Sequence, residues 1–286
     1  MPSASTLRVQ IEHALERRFP AALTPVPHTV PETAPTGIAR LDRLLDGGLP
    51  VGAISEVAGP ESSGRTSLAL SFLAGRTREG LVCAWVDAGD ALDAESAAAS
   101  GVDLRQLLWV RCRGVGPIAH GPDRAQPWPR LDQALRATDL LLQAGGFAAL
   151  VLDLGGTAPE HGARIPLATW FRFRQAAAQT RCSLLVLARE PLAQSSAEVV
   201  LECAPLAGLA GGGTVLSGLH YEVRIYRQRF MSATAGLRKP PASTWQATGA
   251  WQREERGSQQ HGAPSGRFSL DGVGKQVFVA GMRIRA

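Results

Sequence analysis

The chain has 286 residues, 45% of them hydrophobic and 19% charged, with a formal net charge of +5. That composition supports a sizeable core and excludes a globally disordered chain, and the length suits one large α/β domain or one domain with appendages. No apolar run approaches the roughly 18 residues that span a bilayer, and "MPSASTLRVQIEHALERRF" lacks the apolar centre of a secretory signal, so a cytoplasmic protein without membrane contact is expected.

Residues 6–19 set Leu7, Ile11, Ala14, Leu15 and Phe19 at helical spacing, with Arg8, Glu12, Glu16 and Arg17 elsewhere, which predicts an amphipathic helix. "PAALTPVPHTVPETAPTG" follows, too rich in proline for a helix, and reads as an extended connector. The apolar face of the helix must be covered, either by its own domain or by a neighbouring molecule. Residues 1–35 are therefore set apart from a body spanning 36–230.

The body opens at "TGIARLDRLLDGGLP", with Thr36 capping a short amphipathic helix before a Gly-Gly-Leu-Pro turn. "AISEVAG" is an apolar strand, and "TSLALSFLAGRTREG" a helix ending at Gly80. "LVCAWVDAG" is a buried strand ending in Asp87. "RLDQALRATDLLLQAGG" is a helix, "FAALVLDLGG" a strand, "ATWFRFRQAAAQTRC" a helix and "SLLVLARE" a strand. Alternating helices and near-continuous apolar strands predict a doubly wound, mostly parallel sheet covered on both faces. "YEVRIYRQRF" alternates instead, as a half-exposed strand near a sheet edge does.

Beyond Phe230, residues 231–286 are rich in Ser, Gly, Pro and Gln and read as a loose tail, with "KQVFVAGMRIR" as one last candidate strand. From His220 to Ala286 there are 11 Lys/Arg against 4 Asp/Glu, while the rest of the chain is nearly neutral. Such a basic end suits phosphate backbones or an acidic partner; it equally suits a solvated tail that keeps the protein soluble. Cys83, Cys112, Cys182 and Cys203 show no C-x-x-C spacing, and buried free thiols fit them better than a metal site.

Between the first apolar strand and its helix lies "GPESSGRTS". A phosphate loop reads G-x-x-x-x-G-K-[ST], and Gly59, Gly64 and Thr66 fall in place. The residues expected to cradle a nucleotide are Gly59, Pro60, Glu61, Ser62, Ser63, Gly64, Arg65, Thr66 and Ser67. Backbone amides and the helix N-terminus would converge on a phosphate, and the Thr66 hydroxyl would ligate Mg2+. Arg65 replaces the lysine; it keeps the charge, but its planar fork cannot sit beneath the loop as a compact point charge. Asp153, closing "ALVLD", is placed to hold the magnesium hydration shell, or else serves as a turn or cap aspartate. Trp170, Phe171 and Phe173 alternate with Arg172 and Arg174, a pattern of either a base-stacking patch or a core face.

"TGIARLDRLLDGGLPVGAISEVAGPESSGRTSLAL", followed by "CAWVDAGDALD" and "GVDLRQLL", resembles the ATP-binding core of bacterial RecA recombinases, and "GPESSG" is a signature of that family. The resemblance implies ATP and Mg2+ as cofactors and an N-terminal helix that docks on the next protomer of an oligomer or on RecA itself. It also implies a carboxylate on the adenine side at Asp93, and arginines on a late strand (Arg224, Arg227, Arg229) where the family reaches a neighbour's γ-phosphate. Arg227 and Arg229 share a side by strand alternation and could serve one anion.

The departures from the family pattern matter as much. Where the family places a water-activating glutamate, this chain has Gly89, with Asp90 next door. Ser96 replaces the aromatic that stacks on the base. The segments in the place of the DNA-contacting loops, "LGGTAPEHGARIPLATW" and "REPLAQSSAEVVLEC", are short, and the nucleotide-sensing glutamine becomes Arg189 or Glu190. The family's C-terminal domain is replaced by the basic tail. This combination resembles ImuA-type proteins, which implies an accessory in the DNA damage response and translesion synthesis that partners an inactive polymerase-like protein of the ImuB type and hydrolyses ATP poorly or not at all. The alternative is an active DNA-dependent ATPase and recombinase on single-stranded DNA; a related cell-division regulator ranks last.

Overall fold

A computed structural model describes residues 32–112, 127–211, 215–229, 242–249 and 282–285, all within one compact unit, Glu32–Ala286. The predicted helix over residues 6–19, nearly all of the proline connector and most of the basic tail lie outside the described residues.

The described residues open with a two-stranded antiparallel pair, β1 (Thr33–Ala34) and β2 (Leu49–Pro50), flanking α1 (Ala39–Leu44). Thr36 acts two residues ahead of the N-cap residue, Ile38: its hydroxyl accepts from the Ile38 amide (3.2 Å) and donates to Asp42 Oδ1 (2.6 Å). Then follow β3 (Ile54–Ala58), α2 (Arg65–Arg78), β4 (Cys83–Asp87), α3 (Ala94–Ala99), β5 (Leu107–Arg111), α4 (Pro127–Ala144) and β6 (Ala149–Asp153). The second half comprises α5 (Pro159–Gly162), α6 (Leu167–Thr180), β7 (Ser183–Ala188), β8 (Ala197–Gly211), β9 (Val215–Gln228), β10 (Ala242–Gly249) and β11 (Met282–Arg285).

The main sheet runs β11-β10-β9-β8-β3-β7-β6-β4-β5. Its strands from β8 to β5 pair in parallel, and β9, β10 and β11 extend it in antiparallel fashion. The central strands alternate side chains between two cores, as a sheet covered on both faces requires. Val57, Trp85, Val151 and Leu185 face Leu41 of α1 and Leu68 and Phe72 of α2. Ile54, Val86, Leu152 and Val186 face Leu131 of α4 and Trp170 and Phe173 of α6. The doubly wound, mostly parallel α/β fold expected from the sequence is the fold observed.

Two expectations about the far end of the sheet need correction. β9 is internal rather than near an edge, because β10 pairs along it from Ala242↔Arg224 to Thr248↔Gly218. Its alternation is real: Tyr221, Val223 and Ile225 are buried, while Arg224 and Tyr226 are exposed. Residues 242–249, read as part of a loose tail, bury Trp245 and Ala247 beside α2; two apolar side chains in "ASTWQATG" suffice once a neighbouring strand supplies the register. Likewise, "AEVVLEC" belongs to β8 rather than to a DNA-contacting loop, leaving only residues 189–196 between β7 and β8.

Candidate functional site

Strand β3 delivers the chain into the glycine loop, and α2 carries it away. Gly59 N donates to the carbonyls of Ala188 and Arg189 (3.2 and 3.1 Å), which ties the loop's start to the end of β7. A Cβ on Gly59 would lie 2.3 Å from the Cys203 carbonyl oxygen. Gly64 adopts φ 88° as the N-cap of α2, and a Cβ there would stand 2.8 Å from the Tyr221 ring and 2.9 Å from that of Trp245. Only glycine meets both the left-handed backbone and the close approach of the rings. Tyr221 and Trp245 themselves pack at 4.7 Å between centroids, and the Tyr221 hydroxyl bonds to Ser67. An aromatic pair from β9 and β10 thus supports the first turn of α2. The sequence offered no direct sign of it, since the two rings come from segments that pair only in the folded sheet.

Pro60, Glu61, Ser62 and Thr66 are exposed along the loop, whereas Ser63, Gly64 and Arg65 are buried. Ser63 Oγ and Arg65 Nη1 are buried without a hydrogen-bond partner. An unpaired buried donor is costly, so these atoms are suited to an anion, as are the first-turn amides for which a helix supplies no carbonyl. The Arg65 guanidinium reaches the far side of the loop. Both its terminal nitrogens lie 3.3 Å from where a Cβ of Gly155 would be, and Asp153 Oδ1 lies 3.1 Å from that point. Burial lowers the Arg65 pKa, and the Asp153 charge opposes the shift.

Asp153 closes β6 directly beside Asp87, its register partner on β4. Its Oδ1 accepts the Gly155 amide at 2.9 Å. Burial, then the neighbouring charge of Asp87, push its pKa up to about 6, against the Gly155 amide and Arg65. Asp87 is spent on structure: it accepts from the amides of Ala91 (3.0 Å) and Leu92 (2.8 Å) and from Trp109 Nε1 (3.3 Å). Thr66 and Asp153 supply oxygen donors of the kind Mg2+ takes, so the residues present fit a metal-bound triphosphate.

Gly89 lies two residues beyond Asp87, and a Cβ there would meet nothing closer than Ala91 Cβ at 3.7 Å and Asp87 Oδ1 at 3.9 Å. Asp90, its neighbour, holds φ 54° and pairs with Arg111, whose Nη2 lies 3.1 Å from Oδ2. Arg111 is itself stacked 4.6 Å over the Trp109 ring. Asp93 caps α3, accepting the Ser96 amide at 2.8 Å, and the Ser96 hydroxyl and amide hold its pKa low. Ser96, read from the sequence as the replacement for a stacking aromatic, thus completes a helix cap.

Arg189 bridges the loop: it forms an ion pair with Glu61, and its Nε donates to the Gly155 carbonyl at 3.3 Å. Arg65, Arg189, Glu61 and Asp153 share one electrostatic neighbourhood. Arg227 donates to the Gln194 carbonyl, Arg229 is exposed just past β9, and Arg224 pairs with Glu222 at 2.9 Å. A cleft of about 420 Å3 runs beside the loop, lined by Gly59, Pro60, Arg189, Glu190, Glu202 and Arg224 among others.

Glu56, inside the strand read as purely apolar, is fully buried and accepts from the Leu192 and Ala193 amides. Burial raises its pKa, against those two amides and the charge of Arg227. It pins the segment after β7 against the sheet, a role that sequence pattern alone does not signal. Of the aromatic stripe on α6, Trp170 and Phe173 are buried and meet edge to face at 5.9 Å, as the core reading requires, while Phe171 is 45% exposed. All four cysteines are buried and free.

The RadB recombinase crystal structure superposes with a TM-score of 0.53, covering 74% of this chain and 95% of that one at 17% identity, a likeness of fold. RecA proteins of Brucella anthropi and Allorhizobium ampelinum are each 44% identical over 123 residues, and that of Rhizobium rhizogenes is 43% identical. These matches span 43% of this chain and 30% of the relatives' length. The RecA N-terminal domain family matches residues 9–155, just over half of the 286 residues, and the chain belongs to that family.

Proposed function

We propose that this chain is a nucleotide-holding accessory of DNA repair, of the ImuA type, rather than a strand-exchange motor. One observation carries the reading. At the end of β4 the position of a water-activating carboxylate is Gly89, and both flanking aspartates are committed, Asp87 to the 88–92 turn and Asp90 to Arg111. Loss of a positioned general base costs about 10²–10⁴ in rate, and exchanging lysine for the planar fork of Arg65 adds to the deficit. The loop nevertheless retains buried, unpartnered donors suited to phosphate. ATP with Mg2+ is therefore held by residues 59–67 and Asp153, and turned over slowly.

In this reading the protein works in the cytoplasm through contacts: with a polymerase-like partner of the ImuB type in translesion synthesis, through the N-terminal helix with another copy or RecA, and with single-stranded DNA through the basic C-terminal third. Electrostatic contacts of that last kind weaken steeply as salt rises. The testing experiment measures ATP binding and phosphate release side by side, with and without single-stranded DNA. Binding with little turnover supports the proposal. Vigorous DNA-stimulated release overturns it in favour of an active recombinase, the reading favoured by the identity to RecA proteins.

A further inference from the structure

The ion pair between Glu61 and Arg189 joins the phosphate loop to the end of β7, and its position is unusual for a surface bridge. Both residues line one open cleft of about 580 Å3 together with Pro60, Pro159 and Glu190. Arg189 also bonds to the Gly155 carbonyl, while the Arg65 guanidinium lies over the other side of the same glycine. Two guanidiniums therefore flank Gly155 at the mouth of the loop. They repel one another, and Glu61 and Asp153 are the anions that offset them. Arg65 Nη1 has no partner, whereas Arg189 is occupied by a carboxylate of the loop itself.

We infer that Glu61 stands in for the terminal phosphate of a nucleoside triphosphate, occupying Arg189 until that phosphate arrives and displaces it. The inference rests on the nucleotide-holding reading of this loop and specifies its regulation. A diphosphate fills the loop beneath Gly59–Gly64 but leaves Arg189 with Glu61. A triphosphate brings an anion with more charge and more acceptor oxygens than a carboxylate, and Arg pairs with such groups bidentately. Arg189 is then the residue that distinguishes the two nucleotides, and Glu61 sets how strongly. The exchange also removes one side-chain link between the loop and the end of β7, while the Gly59 amide bonds to the Ala188 and Arg189 carbonyls remain.

The test is calorimetric titration of ATP and of ADP, each with Mg2+, into the full chain and its Glu61→Gln, Arg189→Gln and doubly substituted forms. Glu61→Gln should tighten ATP about threefold, the scale of a partly exposed ion pair, and leave ADP within error. Arg189→Gln should weaken ATP about tenfold or more, the scale of one charge-assisted contact, again sparing ADP, whose binding certifies a folded loop. In the double variant the ATP gain from Glu61→Gln should vanish. Equal effects on both nucleotides, or a gain that persists without Arg189, mean that Glu61 acts by simple repulsion and overturn the inference while leaving nucleotide holding intact. Failure of all four proteins to bind either nucleotide overturns both.

Discussion

Restoring a carboxylate at position 89 is the most direct probe of why turnover should be slow. The backbone there is not left-handed, and a Cβ would lie at 3.7 Å from Ala91 Cβ and 3.9 Å from Asp87 Oδ1, ordinary contact distances, so the position accepts the Cβ of Gly89→Glu without strain. The new carboxylate would project from the end of β4, near Gly156 after β6 and so beside the Asp153 strand end. A regained base gives about 10²–10³ in turnover, or about 3–4 kcal/mol of barrier, provided the loop holds the triphosphate in line. Because Arg65 carries the second deficit, Gly89→Glu with Arg65→Lys should exceed either change alone. The assay is single-turnover phosphate release with Mg2+-ATP, normalised to the fraction of protein with nucleotide bound. Unchanged turnover in the double variant, with binding retained, would refute the claim that this glycine limits hydrolysis.

Gly64→Ala should lower stability by about 2–4 kcal/mol, the sum of a left-handed alanine and overpacking against the Tyr221 and Trp245 rings, read as a fall of several degrees in Tm. Gly155→Ala should weaken nucleotide binding by pressing on Arg65 and Asp153, and in an Arg65→Lys background, where only the Asp153 contact remains, the loss measured by titration should shrink. Asp153 has a folded pKa near 6, above its ordinary value, so ionising it costs stability: the cost is absent below about pH 4, grows as pH rises toward 6 and is complete above it. Asp153→Asn should accordingly stabilise the protein by about 1–3 kcal/mol at pH 7.5 and by much less at pH 4, measured by denaturant unfolding at both.

The elements that sequence made legible are those whose signal is local. "AISEVAG", the glycine loop and "TSLALSF" each carry their periodicity or punctuation within a few residues, and the same holds for "ALVLD" and "SLLVLA". Trp245 was missed for the opposite reason. Its segment is polar and proline-flanked, and its strand character exists only because Val223 and Tyr221 lie opposite it in register. Glu56 escaped notice because a single acid in an apolar run reads as noise until the amides of Leu192 and Ala193, over a hundred residues away, turn out to face it. Asp93 and Ser96 illustrate a third case: their spacing is that of a helix cap, and the Asp93 side chain accepts the Ser96 amide as that spacing allows.

Several of the charged residues around the loop already have internal partners. Arg189 holds Glu61, Arg111 holds Asp90, and Arg224 holds Glu222, while Arg65 lies within reach of Asp153. A nucleotide finds unpartnered donors at Ser63 and Arg65 but must displace Glu61 to reach Arg189, so part of its binding energy goes into breaking a pair already made. That cost is not recovered in the chemical step, because energy spent equally on bound substrate and transition state does not accelerate a reaction. A motor must cycle its nucleotide quickly and would be handicapped by this arrangement. A platform that is to respond once, when a triphosphate displaces Glu61 from Arg189, is served by it.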